Sequence, residues 1–472
     1  MVFSSILFLL YFLPVFLLAY HLVPSKAKNL VFLLFSLLFY AWGAPDFFFI
    51  LMLSIAIDFI LVKYIARAQN AFYSKLLLSL VFIKSFGLLF YFKYANFFVD
   101  NLNEIMGTLH FMPIEWKNVL LPIGISFYTF QSITYAMDVY KKKHSPLKNP
   151  LQYYLYIMAF PQMIAGPIVP FHQIADYIPH RTEKYSDKIQ GFYRFCIGLA
   201  KKVFIANILS EFSAYMIENA GPDLPYNYAW VGMLAYTFQI YFDFSGYSDM
   251  ALGLGQMLGF PYPENFNNPY TSKSISEFWR KWHITLGNWM KTYLYIPLGG
   301  NQKGEWRTFF NLWLVFLLSG LWHGDAWNFV LWGAFHGVLL VLERWFLADL
   351  LRKIPVFISV LYTFFMVLIG WTLFCSEDLQ SWTYILESMF GFENAKPIFI
   401  SPKFYVALGL GALFSFWNFL PFGERIQQAL YYPKNLSTRH LGFRLVLSLL
   451  IIALSASQFA GSSFNPFIYY RF

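Results

Sequence analysis

The sequence predicts an all-α, polytopic transmembrane protein of about eleven spanning helices, with re-entrant and interfacial helices between them. Two observations carry this. Of 472 residues, 58% are hydrophobic and only 12% are charged, where a soluble domain has about 25% charge. The apolar residues also fall in runs approaching the roughly 20 residues that cross a bilayer, and no long polar stretch separates them. Residues 1–472 therefore read as a single integral-membrane domain, although length alone would allow several soluble ones.

The runs follow one another along the chain. Val2–Tyr20 is apolar from the start and lacks a basic leader and a small-residue cleavage site, so it reads as a retained first helix. Leu30–Trp42, Phe47–Ile65, Leu76–Phe92 and Val119–Val139 come next. Leu151–Ala165 is interrupted at Pro161 and stops at Gly166-Pro167, the pattern of a segment that re-enters rather than spans. Ile189–Leu209, Trp230–Leu258, Thr308–Trp322, Ala326–Leu347, Val356–Phe374, Phe404–Leu420 and Phe443–Phe459 complete the set. Basic loops alternate in the first third: Lys26 and Lys28, then Lys63, Arg67 and Lys75, then Lys141, Lys142, Lys143 and Lys148. The positive-inside rule then puts the N-terminus outside the cytoplasm. The net charge of +9 fits basic loops facing anionic lipid better than a nucleic-acid partner. No internal repeat points to an inverted-repeat transporter.

The segment near 260–307 differs: it is polar and aromatic. Ser274 and Glu277 have the spacing of a capping box. From there Trp279, Trp282, Leu286 and Trp289 fall on one helical stripe flanked by Arg280, Lys281 and Lys291. This predicts an interfacial or re-entrant helix with indoles in the headgroup zone, the alternative being a helix packed under others.

His323 is the outstanding residue. It stands in Ser319-Gly-Leu-Trp-His-Gly-Asp-Ala-Trp327 between two apolar runs, and 308–342 hold no Lys, Arg or Glu. An ionisable group at membrane depth is costly and faces a polar cavity by default. Imidazole titrates near neutrality and can serve as a general base. On the residues alone, proton handling and a structural hydrogen bond between helices are equally open. Gly320 and Gly324 beside it admit a substrate or another helix. His283 is a second candidate, open to an interfacial hydrogen bond instead; His336 reads as structural. No His-x-x-x-His or His-Glu-x-x-His spacing occurs, so metal is not expected. Cys196 and Cys375 form no framework. There is no Gly-x-Ser-x-Gly, and Gly253-Leu-Gly255 reads as helix packing. Asp58 and Lys84 are placed to pair structurally. Asp243 and Asp249, with Ser245 and Ser248 around a glycine, are placed to line a polar cavity or kink a helix, and a stabilised helix break and a proton path are both open.

Several segments together resemble the membrane-bound O-acyltransferase family, in its bacterial branch that serves alginate O-acetylation. They are Leu121-Pro-Ile-Gly-Ile-Ser-Phe-Tyr-Thr-Phe-Gln131, Phe160-Pro-Gln-Met-Ile-Ala-Gly-Pro-Ile168, and Tyr241-Phe-Asp-Phe-Ser-Gly-Tyr-Ser-Asp-Met250 running to Pro263-Glu-Asn-Phe-Asn-Asn-Pro-Tyr270. Phe278-Trp-Arg-Lys-Trp-His-Ile-Thr-Leu286 through Tyr293-Leu-Tyr-Ile-Pro-Leu-Gly-Gly-Asn301 to His323, and the closing Pro466-Phe-Ile-Tyr-Tyr-Arg-Phe472, also fit. The resemblance implies helices around a central tunnel, with His323 catalytic and His283 the second site residue. It implies an acetyl group passing from cytoplasmic acetyl-CoA, across the bacterial inner membrane, to an exported polysaccharide through an extracytoplasmic partner. No tightly bound cofactor is implied. Lys273, Arg280, Lys281 and Lys291 are then candidates to steer the polyanionic donor, and Asn288 or tryptophan indoles to stabilise tetrahedral charge. Two departures from the family pattern stand out. Pro170 occupies the place of a basic residue, and Asp325 that of a small one, where a carboxylate near His323 would raise its pKa. Rival readings are a D-alanyl transferase of the same fold using a carrier-protein thioester, and a proton-coupled transporter using Asp58, Asp243 and His323.

Overall fold

The computed structural model describes residues 3–392, 394–398, 400–433, 436–461 and 467–468. Its chain divides into two compact units, Met1–Asp187 with Leu254–Tyr262, and Lys188–Gly253 with Pro263–Phe472. Among the described residues both are helical, without strands.

The first unit carries α1 (Leu13–Leu22), α2 (Lys28–Gly43), α3 (Phe48–Arg67), α4 (Ala71–Leu89) and α5 (Ala95–Thr108). They are followed by α6 (Ile125–Tyr140), α7 (Pro150–Met158), α8 (Phe160–Met163) and α9 (Phe171–Ile174). Local signals place the starts. The Asn70 side chain accepts from the Phe72 N–H, and Asn149 accepts from Leu151 N–H ahead of a proline at the first helical position. Phe160 is the hub of the core, with Phe12, Phe16, Phe32 and Phe39 ring centroids 5.1 to 5.6 Å away. Asp58, fully buried, lies 2.6 Å from Lys84 Nζ, the pairing expected from sequence. The 151–165 run is two helices of nine and four residues, each too short to cross a bilayer.

The second unit takes α10 (Tyr185–Lys201) from Lys188 onward, α11 (Asn207–Glu218), most of α12 (Tyr226–Met257), α13 (Ile275–Lys281) and α14 (Ile284–Met290). Next come α15 (Glu305–His323), α16 (Trp327–Leu342), α17 (Ala348–Lys353), α18 (Val356–Cys375) and α19 (Leu379–Gly391). Last are α20 (Pro402–Phe416), α21 (Gly423–Tyr431) and α22 (Thr438–Gly461). α10 and α12 touch backbone to backbone. A Cβ on Gly246 would sit 2.7 Å from the Gly198 carbonyl, and one on Gly253 would be 2.6 Å from Phe195 N. The glycine pair around Leu254 is thus packing, as its setting in an apolar helix implied.

Among the described residues, five helices are long and apolar enough to cross a membrane: Pro45–Arg67, Ala71–Thr108, Trp327–Lys353, Val356–Cys375 and Thr438–Phe459. A sixth arises if Pro402–Phe419 and Gly423–Tyr431, bent by 105°, form one broken span. Length and composition thus identify five or six of the expected spans; α2 and α6 have only 16 residues each. α12 runs unbroken for 32 residues through Asp243 and Asp249. Asp243 pairs with Lys202 at 2.7 Å, and Asp249 with Arg194 and Lys201 at 2.6 Å each. Ion pairing inside a continuous helix removes the helix-break reading, while Ser245, Ser248 and Asp249 line a cavity, the other reading the sequence allowed.

Candidate active site

The stripe predicted from Trp279 to Trp289 does not form one helix. α13 ends at Lys281, Trp282 is extended, and His283 adopts the left-handed conformation (φ 44°, ψ 53°) before α14 begins. Trp282 and Trp289 are buried within the protein, and Trp282 packs 4.9 Å from Trp371. The packed alternative holds for these two. The capping residues act largely as read. Ser274 Oγ accepts from Glu277 N–H at 3.1 Å, while the Glu277 carboxylate takes the Lys273 N–H at 3.0 Å, one residue before the cap itself. The Glu343 carboxylate, buried, accepts from the N–H groups of Ile275 and Ser276 and anchors the start of α13.

His323 closes α15, one residue before the turn into α16. The two helices pack through glycine. A Cβ on Gly320 would collide with the Phe329 carbonyl and lie 3.0 Å from Gly333 Cα; one on Gly324 would enter the Phe329 ring. These glycines admit a neighbouring helix, the second of the roles their position allowed. His323 is 3% exposed, and its ring is walled by Trp322 (4.9 Å), Trp332 (5.1 Å) and Phe374 (5.3 Å). The buried Trp332 indole N–H has no hydrogen-bond partner among the described residues, and an unmet buried donor is costly unless something else uses it. Asp325 is exposed on the turn, and so is Asn288 on α14.

His283 is brought to the same place. The Trp322 ring lies 6.2 Å from it and 4.9 Å from His323, so one indole borders both imidazoles. His283 is 1% exposed rather than at a cavity mouth, with Phe244 at 4.7 Å and the Asn265 side-chain oxygen 3.0 Å from its Nδ1. Burial pushes its pKa down to about 3, so the ring is neutral at working pH. His336, fully buried, faces Trp279 at 5.0 Å and Trp332 at 5.1 Å, and its Nδ1 accepts from the Trp279 indole at 3.4 Å, a packing role as expected.

The basic candidates divide. Lys273 and Arg280 line a polar cleft of about 810 Å³ together with Arg344 and Arg352. Lys281 instead pairs with Glu277 at 2.8 Å, and neither it nor Lys291 lines this cleft. The acidic residues of the cleft are largely engaged: Glu343 with α13, Glu277 with Lys281, Asp349 with Arg352 at 3.1 Å. α13 joins the cleft to the histidines. Glu277 and Arg280 line the cleft, while Trp279 between them packs 5.5 Å from Trp332, which borders His323. Arg344 and Arg352 went unnoticed in the sequence because they follow an apolar run as ordinary flanking basic residues. A second cavity, about 330 Å³, is lined by Arg194, Lys201, Asp249, Glu264, Asn265 and Tyr431 among others. Of the closing motif, Phe467 stacks on Tyr247 at 4.7 Å and Ile468 N–H donates to Asp243 at 2.8 Å; its remaining residues lie outside those described. Among the described residues no cluster of His, Cys, Asp and Glu fits a metal ion.

Residues 70–376 match the model of the membrane-bound O-acyltransferase family. The chain belongs to the membrane-bound O-acyltransferase family. It is therefore a multi-pass membrane O-acyltransferase, and His283, Asn265 and His323 all fall inside the matched region. Its relatives include the "Probable alginate O-acetylase" of Azotobacter vinelandii, 38% identical over 100% of both chains. The protein of the same name from Pseudomonas aeruginosa is 43% identical over 83% of this chain and 75% of its own. The peptidoglycan O-acetyltransferase of Helicobacter pylori is 37% identical over 85% of this chain and 82% of its own.

Proposed function

We propose that this acyltransferase moves an acetyl group from cytoplasmic acetyl-CoA, across the bacterial inner membrane, for O-acetylation of an exported polysaccharide of the alginate type, through an extracytoplasmic partner. The observation that carries the reading is the buried pair His323 and His283 bordering one indole, with α13 placing Arg280 in a polar cleft of four basic and four acidic side chains while its Trp279 packs on Trp332 beside His323. The names of relatives that match across most of the chain favour acetyl over D-alanyl.

The chemistry follows from the groups present. The acceptor hydroxyl attacks the thioester carbonyl carbon; its O–C bond forms as the C–S bond breaks. His323 takes the hydroxyl proton and delivers it to the leaving sulfur, giving an ester and the free thiol. The indole N–H of Trp332 is the donor best placed to meet the tetrahedral oxyanion, since it is buried beside His323 and has no other partner among the described residues. Lys273, Arg280, Arg344 and Arg352 hold the phosphates of coenzyme A. The transporter alternative is disfavoured, because Asp58 and Asp243 are each held by a lysine.

The test is reconstituted protein with labelled acetyl-CoA and a polysaccharide or partner acceptor. Wild type should release thiol and label the acceptor, and His323→Gln should lower the rate by roughly 10²–10⁴ with the fold intact. Wild type that consumes no donor, or a His323→Gln variant at full rate, overturns the reading.

A further inference from the structure

We infer that Asn265 is a positioning residue that locks His283 in one tautomer, with the proton on Nδ1 and Nε2 left as the acceptor nitrogen. The inference rests on the acyl-transfer reading for its consequence, though not for its geometry.

The hydrogen bonds around Asn265 fix which end of its amide is which. One side-chain atom lies 3.3 Å from the Thr285 backbone N and 2.9 Å from Thr285 Oγ1. A backbone N–H can only donate, so that atom is the amide oxygen. The amide nitrogen points the other way and donates to Ser248 Oγ at 3.1 Å. The same oxygen is 3.0 Å from His283 Nδ1. An oxygen with only lone pairs demands a donor, so Nδ1 carries the hydrogen. In a neutral imidazole the other ring nitrogen then holds the lone pair.

The backbone is built to keep this arrangement. Ile284 N–H donates to the Asn265 carbonyl at 3.0 Å, and Asn267 N–H donates to the Lys281 carbonyl at 3.0 Å. The two segments are thereby stapled on both sides of His283. His283 itself holds a left-handed backbone that a non-glycine residue rarely adopts, a strain that persists only where surroundings enforce it. The helix is interrupted there, and the interruption presents the imidazole to Asn265. Asn265 also lines the 330 Å³ cavity that holds Arg194, Lys201, Asp249 and Glu264, the charged groups on its other side. The rings against His283, Phe244 and Trp322, are uncharged. Ser248, of α12, supports the amide, and Thr285, on the first turn of α14, sets its orientation.

Two readouts test this on the full-length protein in detergent or vesicles. The first is ¹⁵N NMR of ring-labelled histidine, with the His283 signal identified by its loss in His283→Gln. It should show hydrogen on Nδ1 and none on Nε2 in wild type, and this pattern should be lost in Asn265→Leu. The second is kinetics. Asn265→Leu should lower kcat at least about tenfold with donor KM little changed, as expected when an imidazole bordering the reacting site loses its tautomer. Asn265→Asp, which still accepts from Nδ1, should recover most of kcat at alkaline pH and move the acid limb of the profile upward, because a carboxylate favours the protonated ring. Hydrogen on Nε2 in wild type overturns the inference, as does wild-type kcat in a folded Asn265→Leu variant or an unshifted profile in Asn265→Asp. Wild type inert toward acetyl-CoA would sink the functional reading alone, since the ring spectrum still decides the tautomer.

Discussion

Gly320→Ala puts the α15–α16 hairpin to its severest test. The added Cβ would lie 3.0 Å from Gly333 Cα and collide with the Phe329 carbonyl. Carbon atoms rest about 3.5–4.0 Å apart, so the Gly333 contact alone needs a separation of roughly 0.5–1 Å, and the Phe329 carbonyl needs at least as much. The intruding atoms are backbone on both helices, so no side chain can swing aside. Overpacking of this kind costs about 1–3 kcal/mol. The cost to function should be larger. His323 lies three residues on, and its walls come from different helices: Trp332 from α16 and Phe374 from α18. A displacement near 1 Å at a reacting group can cost about 10²-fold in rate. Gly442→Ala is the matched control, because a Cβ there meets nothing within 4 Å. It should be neutral or slightly stabilising, by up to about 1 kcal/mol of helix propensity. Thermal melting in detergent and thiol release from acetyl-CoA would be measured on both. If Gly320→Ala melts like wild type and turns over at full rate, the hairpin does not position His323 as argued.

Two further outcomes can be checked with the same preparation. Arg280→Glu combined with Arg344→Glu should raise donor KM with little change in kcat, and more at low salt than at high, because exposed charges are screened within about 8–10 Å at moderate ionic strength; a salt-independent KM would count against the cleft as the phosphate site. The His283 pKa is held near 3 in the folded protein against 6.5 ordinarily, so between those values the unfolded chain binds one more proton at this residue. Stability should therefore fall as pH drops from 6.5 toward 3, by up to about 1.4 kcal/mol per pH unit from this group, and His283→Gln should flatten that slope in urea or thermal melts, an identical slope being the contrary result.

Much of the site was legible before any coordinates. His323 stood out because an imidazole inside an apolar run is expensive, and the glycines beside it signalled close approach. His283 was visible through the segment it shares with Arg280 and Trp282. The helix across it was misread for a physical reason. Trp282, Leu286 and Trp289 at i, i+4 and i+7 satisfy helical periodicity whether or not the backbone breaks between them, and histidine, although enriched among non-glycine residues in the left-handed region, adopts it too seldom to announce a turn. The break depends on Asn265, which the sequence separates from His283 by a stretch whose path no local pattern defines. Lys281 is close to Lys273 and Arg280 in sequence, yet it does not line the cleft and instead pairs with the cleft residue Glu277.

What the sequence determined by itself was class and chemistry: apolar runs that only a membrane accommodates, one titratable ring where charge is costly, and motif order enough to recognise the family. Those are properties of residue type and short-range spacing, and they survive without knowledge of the path of the chain. The tertiary structure alone decided which side chains meet. It put Trp322 against both histidines, Arg344 and Arg352 in the same cleft as Arg280, and Asn265 on the imidazole of His283. Hydrogen bonds and ring contacts act over about 3 to 6 Å, so they are set by how helices cross, which the order of residues along one chain does not record.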